Sequence, residues 1–255
     1  MMAVDFDGVS DYLDCGSGAS IDDIWDGGGA VAFRLRLDSD PGDGTSFGLV
    51  DQSNNTPSTG YAIMIANDPG ATTQDRSLRL RVCWASSDGD WYLPETDTPP
   101  NGTWWHVVIN YNADAAANDP VMYVDGVSKA VTESVAPTGA ARSSGAASNV
   151  EIGRFLVAAA SQTVDGQMED VRLFNRILTP QEALILASGY RGPLGGEVLW
   201  LPMDGARAIA HFDGAALVAA TNYLNDMSGN GNHGNPSGSP LGYASDCPRL
   251  GGITD

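Results

Sequence analysis

Between Ala30 and Leu37, the apolar residues Val31, Phe33, Leu35 and Leu37 alternate with Ala32, Arg34 and Arg36. A period of two suits a strand, whose successive side chains point to opposite faces, and does not suit a helix. Ser77 to Trp84 repeats the device: Leu78, Leu80, Val82 and Trp84 share one face, and Ser77, Arg79, Arg81 and Cys83 the other. Tyr61 to Ala66 behaves similarly. From Trp104 to Asn112 both faces carry apolar bulk, with Trp105, Val107, Ile109 and Tyr111 opposite Trp104, His106, Val108 and Asn110; that pattern predicts a central strand. Further short strands are expected at Ala3 to Phe6, Tyr12 to Cys15, Phe47 to Asp51, Asp90 to Leu93, Val121 to Asp125, Val150 to Gly153, Met168 to Phe174 and Val198 to Met203. About a dozen strands joined by turns predict an all-β chain, a two-sheet antiparallel β-sandwich. The 31 glycines and 14 prolines agree with many turns, and 255 residues suit one main domain.

Two local signals sharpen the picture. Asp125-Gly126, between Val121–Tyr123 and Val127–Val131, predicts a tight hairpin. Thr179-Pro180-Gln181-Glu182 supplies a capping threonine, a proline at the first helical position and a glutamate three residues after the cap. It predicts one short helix, running through Ser188 to Gly189 and covering an end of the sandwich. The chain divides into residues 1–190, the sandwich, and 191–255, an extension with a strand at 197–203 and Gly/Asn-rich loops over Asn225 to Gly252. The extension is expected to pack on the same sandwich or on a neighbouring subunit.

Thirteen basic residues against thirty-two acidic ones leave a net charge of −19, which repels phosphate backbones and anionic membranes. Nucleic acid is therefore not an expected partner, nor is membrane insertion, since no stretch is long and apolar enough to span a bilayer. The acids are spread through turns such as Asp38, Asp40 and Asp43, which reads as solvated loops, with divalent cations left open as ligands. Cys15, Cys83 and Cys247 lack zinc or redox spacing and read as buried thiols. Residues 1–14 show no export signal, so the sequons at Asn54 and Asn101 carry little weight.

Several segments carry a family likeness when read in order: Phe6-Asp7-Gly8-Val9-Ser10-Asp11-Tyr12-Leu13, Trp105-His106-Val107-Val108, Met122-Tyr123-Val124-Asp125-Gly126 and Ile152-Gly153, closed by Gly166 to Thr179 and Glu182. Together they resemble the laminin G-like, pentraxin-like group of concanavalin A-like lectins, which implies a jelly-roll sandwich over roughly residues 1–189. A further segment, Leu199 to Gly205 and then Asp226 to Gly234, is similar to one that commonly precedes the Phe-Asp-Gly strand in that family. Here it follows the closing helix, so it either folds back as in a circular permutation or is exchanged with a neighbouring subunit. The resemblance also implies a structural calcium ion held by loop carboxylates, with Asp7, Asp11, Asp170 and Asp226 as its ligands. The competing reading is that these aspartates cap turns.

Sandwiches of this type include glycoside hydrolases, which need a facing pair of carboxyl groups. Glu95-Thr96-Asp97-Thr98-Pro99-Pro100 lacks the second glutamate of the glucanase strand motif and reads as a turn. Glu169 and Asp170 are adjacent in a strand, so alternation sends them to opposite faces. Neither His106, His211 nor His233 sits in a recognisable nucleophile or metal motif. A non-enzymatic role is expected, with no catalytic residues. Sugar faces stack on exposed rings; Trp84 and Trp105 fit the core, and Trp91, Tyr92 and Trp104 are the expected ligand contacts. The first reading is a structural and adhesive module with glycan binding, resembling phage structural proteins (capsid decoration, head fibre or tail). Its expected partners are other virion subunits, itself as a homo-oligomer, or a cell-surface glycan. The alternatives are a soluble carbohydrate-binding module beside a glycoside hydrolase, and a divergent hydrolase.

Overall fold

The computed structural model describes residues 3–53, 59–68, 76–157, 160–203, 211–213, 216–218, 224–237 and 242–244. Asn54, Asp204, Gly205, Gly214, Cys247 and residues 238–241 and 245–252 of the expected C-terminal loop lie outside them, and of His211 only the backbone is described. The chain opens with β1 (Ala3–Asp7), β2 (Tyr12–Asp14), β3 (Gly29–Leu37), β4 (Ser46–Asp51) and β5 (Tyr61–Ala66). It continues with β6 (Ser77–Val82), β7 (Gly89–Leu93), β8 (Trp105–Tyr111), β9 (Val121–Val124), β10 (Val127–Lys129) and β11 (Thr132–Val135). Next come β12 (Glu151–Ile152), β13 (Arg154–Val157), β14 (Ala160–Thr163), β15 (Asp165–Phe174) and the helix α1 (Pro180–Ala187). The last strands are β16 (Glu197–Leu201), β17 (His211–Asp213), β18 (Ala216–Val218), β19 (Asn235–Ser237) and β20 (Gly242–Ala244).

Two antiparallel sheets face one another as a jelly-roll sandwich. The first runs β10-β9-β8-β3-β15-β1-β20, with β16 also on β15; the second runs β11-β7-β6-β5-β4-β12-β2-β19, and the β13–β14 hairpin attaches to β4. The alternating rows of the sequence are its inner faces. Val31, Phe33, Leu35 and Leu37 of β3 and Trp105, Val107, Ile109 and Tyr111 of β8 meet Tyr61, Ile63 and Ile65 of β5 and Leu78, Leu80 and Val82 of β6 in one buried cluster. Burying each such aliphatic side chain contributes about 1.5–3 kcal/mol. The hairpin at Asp125-Gly126 forms as its sequence predicts: Val124 pairs with Val127, and both turn residues have positive φ, 50° and 77°.

The helix also follows its signal. Thr179 Oγ1 accepts from the Glu182 backbone N–H at 3.2 Å, and Glu182 Oε2 accepts from the Thr179 N–H at 2.8 Å. Its position, however, corrects the expectation that it covers an end of the sandwich. Ala183 and Leu186 pack on Ala30, Ala32, Val108, Tyr123 and Phe174, on the outer face of the first sheet. The small Ala30 and Ala32 side chains leave room for the helix there.

One edge of β15 carries two strands end to end. Residues Asp165–Met168 pair with β1, and Val171–Phe174 pair with β16. In this single chain, β16 of the extension pairs with β15 of the sandwich. Part of Asn225 to Gly252, expected to be loop, is strand: β19 pairs with β2 and β20 with β1. Between the two halves of β15 the pairing with β3 slips between Glu169 and Arg172, and Asp170 takes a left-handed φ of 52°. This β-bulge keeps Met168 and Val171 both in the core although three positions separate them.

Candidate functional site

A cleft of about 740 Å³ opens where β8 leaves the first sheet and the chain returns as β9. One wall is the loop over residues 112–120, and the other is Ile177 to Pro180, which leads into α1. Each wall has a reason in the sequence. Asn110 saturates the backbone at the mouth of the helix: its Nδ2 donates to the Leu178 carbonyl at 2.8 Å, and its Oδ1 accepts from the Leu178 N–H at 3.1 Å. Asn112 Oδ1 accepts from the Asp114 N–H at 2.8 Å, and Asn118 Nδ2 donates to the Asn112 carbonyl at 3.0 Å, so the loop is tied by its own asparagines. Exposed Val121 and Ile177 supply an apolar flank, and the buried Tyr123 forms part of the lining.

The cleft's carboxylate is anchored from inside the sandwich. Trp91 is fully buried, and its Nε1 donates to Asp119 Oδ1 at 2.9 Å. The indole is held in a chain of ring contacts: Trp91 to Tyr111 at 5.1 Å between centroids, Tyr111 to Trp25 at 5.9 Å, and Trp25 to Tyr61 at 5.2 Å. Asp119 itself is exposed. Its Oδ2, Asn112 Nδ2 and Asn118 Oδ1 have no hydrogen-bond partner among the described residues. A carboxylate oxygen and an amide N–H₂ lining one cleft with apolar carbon are groups that can accept from and donate to the hydroxyls of a polyol while contacting its C–H face.

The residues singled out by sequence fall elsewhere. Trp91 is a core residue, correcting its expected place at a ligand surface: it shares parity with Leu93, which also faces the other sheet. Tyr92, half-buried on the outer face of the second sheet, lies under the Arg79 guanidinium at 5.8 Å. Trp104 is nearly buried as well, packed on Ala3 and facing Arg34 at 5.6 Å. Neither lines the cleft.

Of the four aspartates expected to hold calcium, Asp7, Asp170 and Asp226 are bound to protein donors. Asp7 Oδ1 accepts from the backbone N–H groups of Val9, Ser10 and Asp11, at 2.9, 2.9 and 3.2 Å. Its partial burial opposes ionisation, but those donors and the Ser10 hydroxyl outweigh that and hold the carboxyl below its ordinary range. Asp11 is buried at the end of the same turn. Asp170 receives both Arg172 Nε and Nη2 at 3.0 Å and the Trp200 indole N–H at 2.8 Å. Asp226 accepts from the Trp200, Ser228 and Asn232 backbone N–H groups at 2.9, 2.9 and 3.0 Å. Among the described residues, no three His, Cys, Asp or Glu side chains come together as a metal cage.

The expected separation of Glu169 and Asp170 is overturned, because the bulge breaks the alternation. Both carboxylates reach Arg191, and Arg34 Nη1 holds Glu169 Oε2 at 3.1 Å. Arg34, Glu169, Asp170 and Arg172 are all essentially buried. His106, on the same outer face, is buried too; burial first, and the Arg34, Arg172 and Arg191 charges second, push its pKa down to about 3. His233 Nδ1 accepts from the Asp226 N–H at 3.1 Å, a turn contact.

A family model described as the concanavalin A-like lectin/glucanases superfamily matches residues 7–183. The chain belongs to this superfamily. Among solved structures, a putative carbohydrate binding protein from Bacteroides ovatus aligns with a TM-score of 0.65 at 14% identity, over 95% of this chain and 59% of that one. This chain thus spans under two thirds of that protein's length. The native heptameric SAP-like pentraxin from Limulus polyphemus aligns with a TM-score of 0.47 at 14% identity, over 73% of this chain and 82% of that one. A search of curated proteins finds no match. The superfamily match spans both walls of the cleft up to Ala183, so the cleft is built on the lectin-type sandwich rather than on the C-terminal extension.

Proposed function

We propose that this protein is a non-catalytic adhesive module that holds a glycan in the cleft between the 112–120 loop and the start of α1. We place it in a phage particle, as a capsid decoration, head-fibre or tail component. The observation that carries the glycan reading is the cleft itself: about 740 Å³, with Asp119 and Asn112 set against Val121 and Ile177, a size and mixture suited to a small polyol. Superfamily membership and the likeness to a putative carbohydrate binding protein support it.

A non-catalytic role is supported by the placement of the acids. Asp119 is the one carboxylate among the described lining residues, whereas glycoside hydrolysis of the usual kind needs two. Glu169 and Asp170 are occupied by arginines, and Glu95 lies 3.6 Å from Arg76. The phage setting rests on the sequence resemblance and on the charge of −19, which keeps the protein off packaged nucleic acid. Exposed Val127 and Leu184, on the contacting elements β10 and α1, offer apolar surface for particle neighbours or for a second copy. The second reading, a soluble carbohydrate-binding module beside a hydrolase, is favoured by the greater length of the Bacteroides ovatus protein.

Retardation in native gels cast with polysaccharides tests the glycan reading. The wild type is expected to be retarded by at least one polysaccharide, and Val121→Arg, which fills the cleft from an exposed position, is expected to run freely. Retardation unchanged by V121R would place binding elsewhere. Fractionation of purified particles tests the setting, since a protein found only free of particles would leave the soluble module as the better account.

A further inference from the structure

Trp91 lies wholly inside the sandwich, yet its polar end leaves it. The only hydrogen-bonding atom of the indole, Nε1, reaches Asp119 Oδ1 at 2.9 Å, and Asp119 stands on the exposed loop of the cleft. The loop bears three alanines, Ala115 to Ala117, and its own ties join Asn112, Asp114 and Asn118 rather than Asp119. A carboxylate on such a loop is free to rotate unless something fixes one oxygen. The buried indole does so, and its own position is set by Tyr111 at 5.1 Å. With Oδ1 committed, Oδ2 is the oxygen left for a ligand, and it is a pure acceptor. Asn112 Nδ2 is a pure donor. Adjacent sugar hydroxyls, each both donor and acceptor, match that pair.

The cleft also has a sign. Its described lining holds one carboxylate, three asparagines, and no lysine, arginine or histidine. The chain as a whole carries −19. An anionic sugar, sialic acid or a uronic acid, would bring a second carboxylate to Asp119 with no cation in the described lining to offset it, and a like-charge pair at close range is unfavourable.

We infer that Trp91 is a positioning residue which aims Asp119 into the cleft, and that the cleft selects uncharged saccharides over their acidic counterparts. The inference rests on the glycan reading above and deepens it. Fixing the acceptor before binding lowers the ordering cost of association, so Trp91 acts on affinity without touching the ligand.

The test uses the full chain and an array of neutral gluco-, galacto- and manno-oligosaccharides, together with the same scaffolds capped by sialic or glucuronic acid. Neutral members are expected to bind at least about tenfold more tightly than their acidic partners, a gap that narrows with added salt. Asp119→Ala is expected to weaken binding on the order of tenfold to a hundredfold, leaving a residual affinity that can be measured. Trp91→Phe keeps the ring and removes the N–H, and is expected to weaken binding about fivefold to tenfold, the range for one hydrogen bond. In the Asp119→Ala background Trp91→Phe is expected to change nothing further, a non-additivity that a merely structural tryptophan would not produce. Should W91F fold poorly, Asp119→Asn, which retains an acceptor for the indole but loses the carboxylate, is expected to close the gap between neutral and acidic ligands. Binding weakened in D119A but untouched in W91F overturns the role of Trp91 and leaves the glycan reading standing. Preference for the acidic members overturns the selectivity. Failure of every saccharide to bind overturns both this inference and the reading beneath it.

Discussion

Glu169 and Asp170 are consecutive in the chain, and both of their carboxylates meet the guanidinium of Arg191. In a regular strand they would lie on opposite faces. Asp170 turns them to one side by adopting a left-handed φ of 52°, which aspartate tolerates better than most residues. The bulge therefore gathers Arg34, Arg172 and Arg191 around two acids on the outer face of the first sheet.

Removing Asp170 should cost far more than removing Arg191. Arg172 is fully buried and donates to both Asp170 oxygens, so Asp170→Ala leaves a buried cation with Glu197, 3.7 Å away, as its remaining carboxylate, at a cost of about 3–5 kcal/mol. Arg191 is partly exposed, and Arg191→Ala should cost about 1–3 kcal/mol. Urea unfolding of the two variants provides the comparison; equal losses would mean that Arg191, not Arg172, carries the network.

His106 should make the protein acid-sensitive. The unfolded chain takes up its proton near pH 6.5, whereas the native imidazole, buried among arginines, resists until about pH 3. Its contribution is whole above pH 6.5 and is lost as the pH falls towards 3. Imidazole resonances of the native protein are expected to stay in the neutral form at pH 5, and His106→Gln is expected to flatten the fall of stability between those values. Titration near pH 6 would show that the histidine is not sealed.

Much of the fold is legible because a half-buried strand writes its orientation into every second residue. Val31 to Leu37, Leu78 to Val82 and Trp105 to Tyr111 declare both their conformation and the face they bury. Other elements leave no such mark. Asn235–Ser237 forms a strand only because Tyr12–Asp14 offers it an edge, more than two hundred residues earlier in the chain. The bulge at Asp170 is illegible to any argument that counts by twos. Trp91 could have been assigned to the core from its parity with Leu93. The cleft could not be read at all: it joins the 112–120 loop to Ile177–Pro180, and only folding sets these segments side by side.

Glu182 should protect the helix start down to strongly acidic pH. Hydrogen bonds from Arg176 first, opposed by partial burial and reinforced by Thr179, lower its pKa from 4.5 to about 2. That stabilisation is present above pH 4.5 and disappears as the pH falls through 2. Glu182→Gln is expected to cost about 1 kcal/mol at neutral pH, with the thermal melting curves of variant and wild type converging at about pH 2.

Gly48 should not tolerate a side chain. A Cβ there would lie 2.1 Å from the Phe155 nitrogen and 2.2 Å from the Arg154 carbonyl carbon, backbone atoms of the strand β13 that crosses it. Gly48→Ala must displace that strand and, with it, Phe155 from Ala62, Met64 and Ala66. A loss of about 1–3 kcal/mol is expected from equilibrium unfolding; an unchanged midpoint would show that the crossing strand yields freely.

The end-to-end seating of β1 and β16 on β15 bears on how the protein is born. A ribosome that has finished α1 has made nearly all of both layers, but Val171–Phe174 still lacks the neighbour that Glu197–Leu201 will provide. Until Leu201 emerges, that stretch is an open hydrogen-bonding rim, attractive to any passing extended segment. Completion of the nascent sandwich is thus timed by one of its last strands, and a stalled or shortened translation product would be the form most prone to clump.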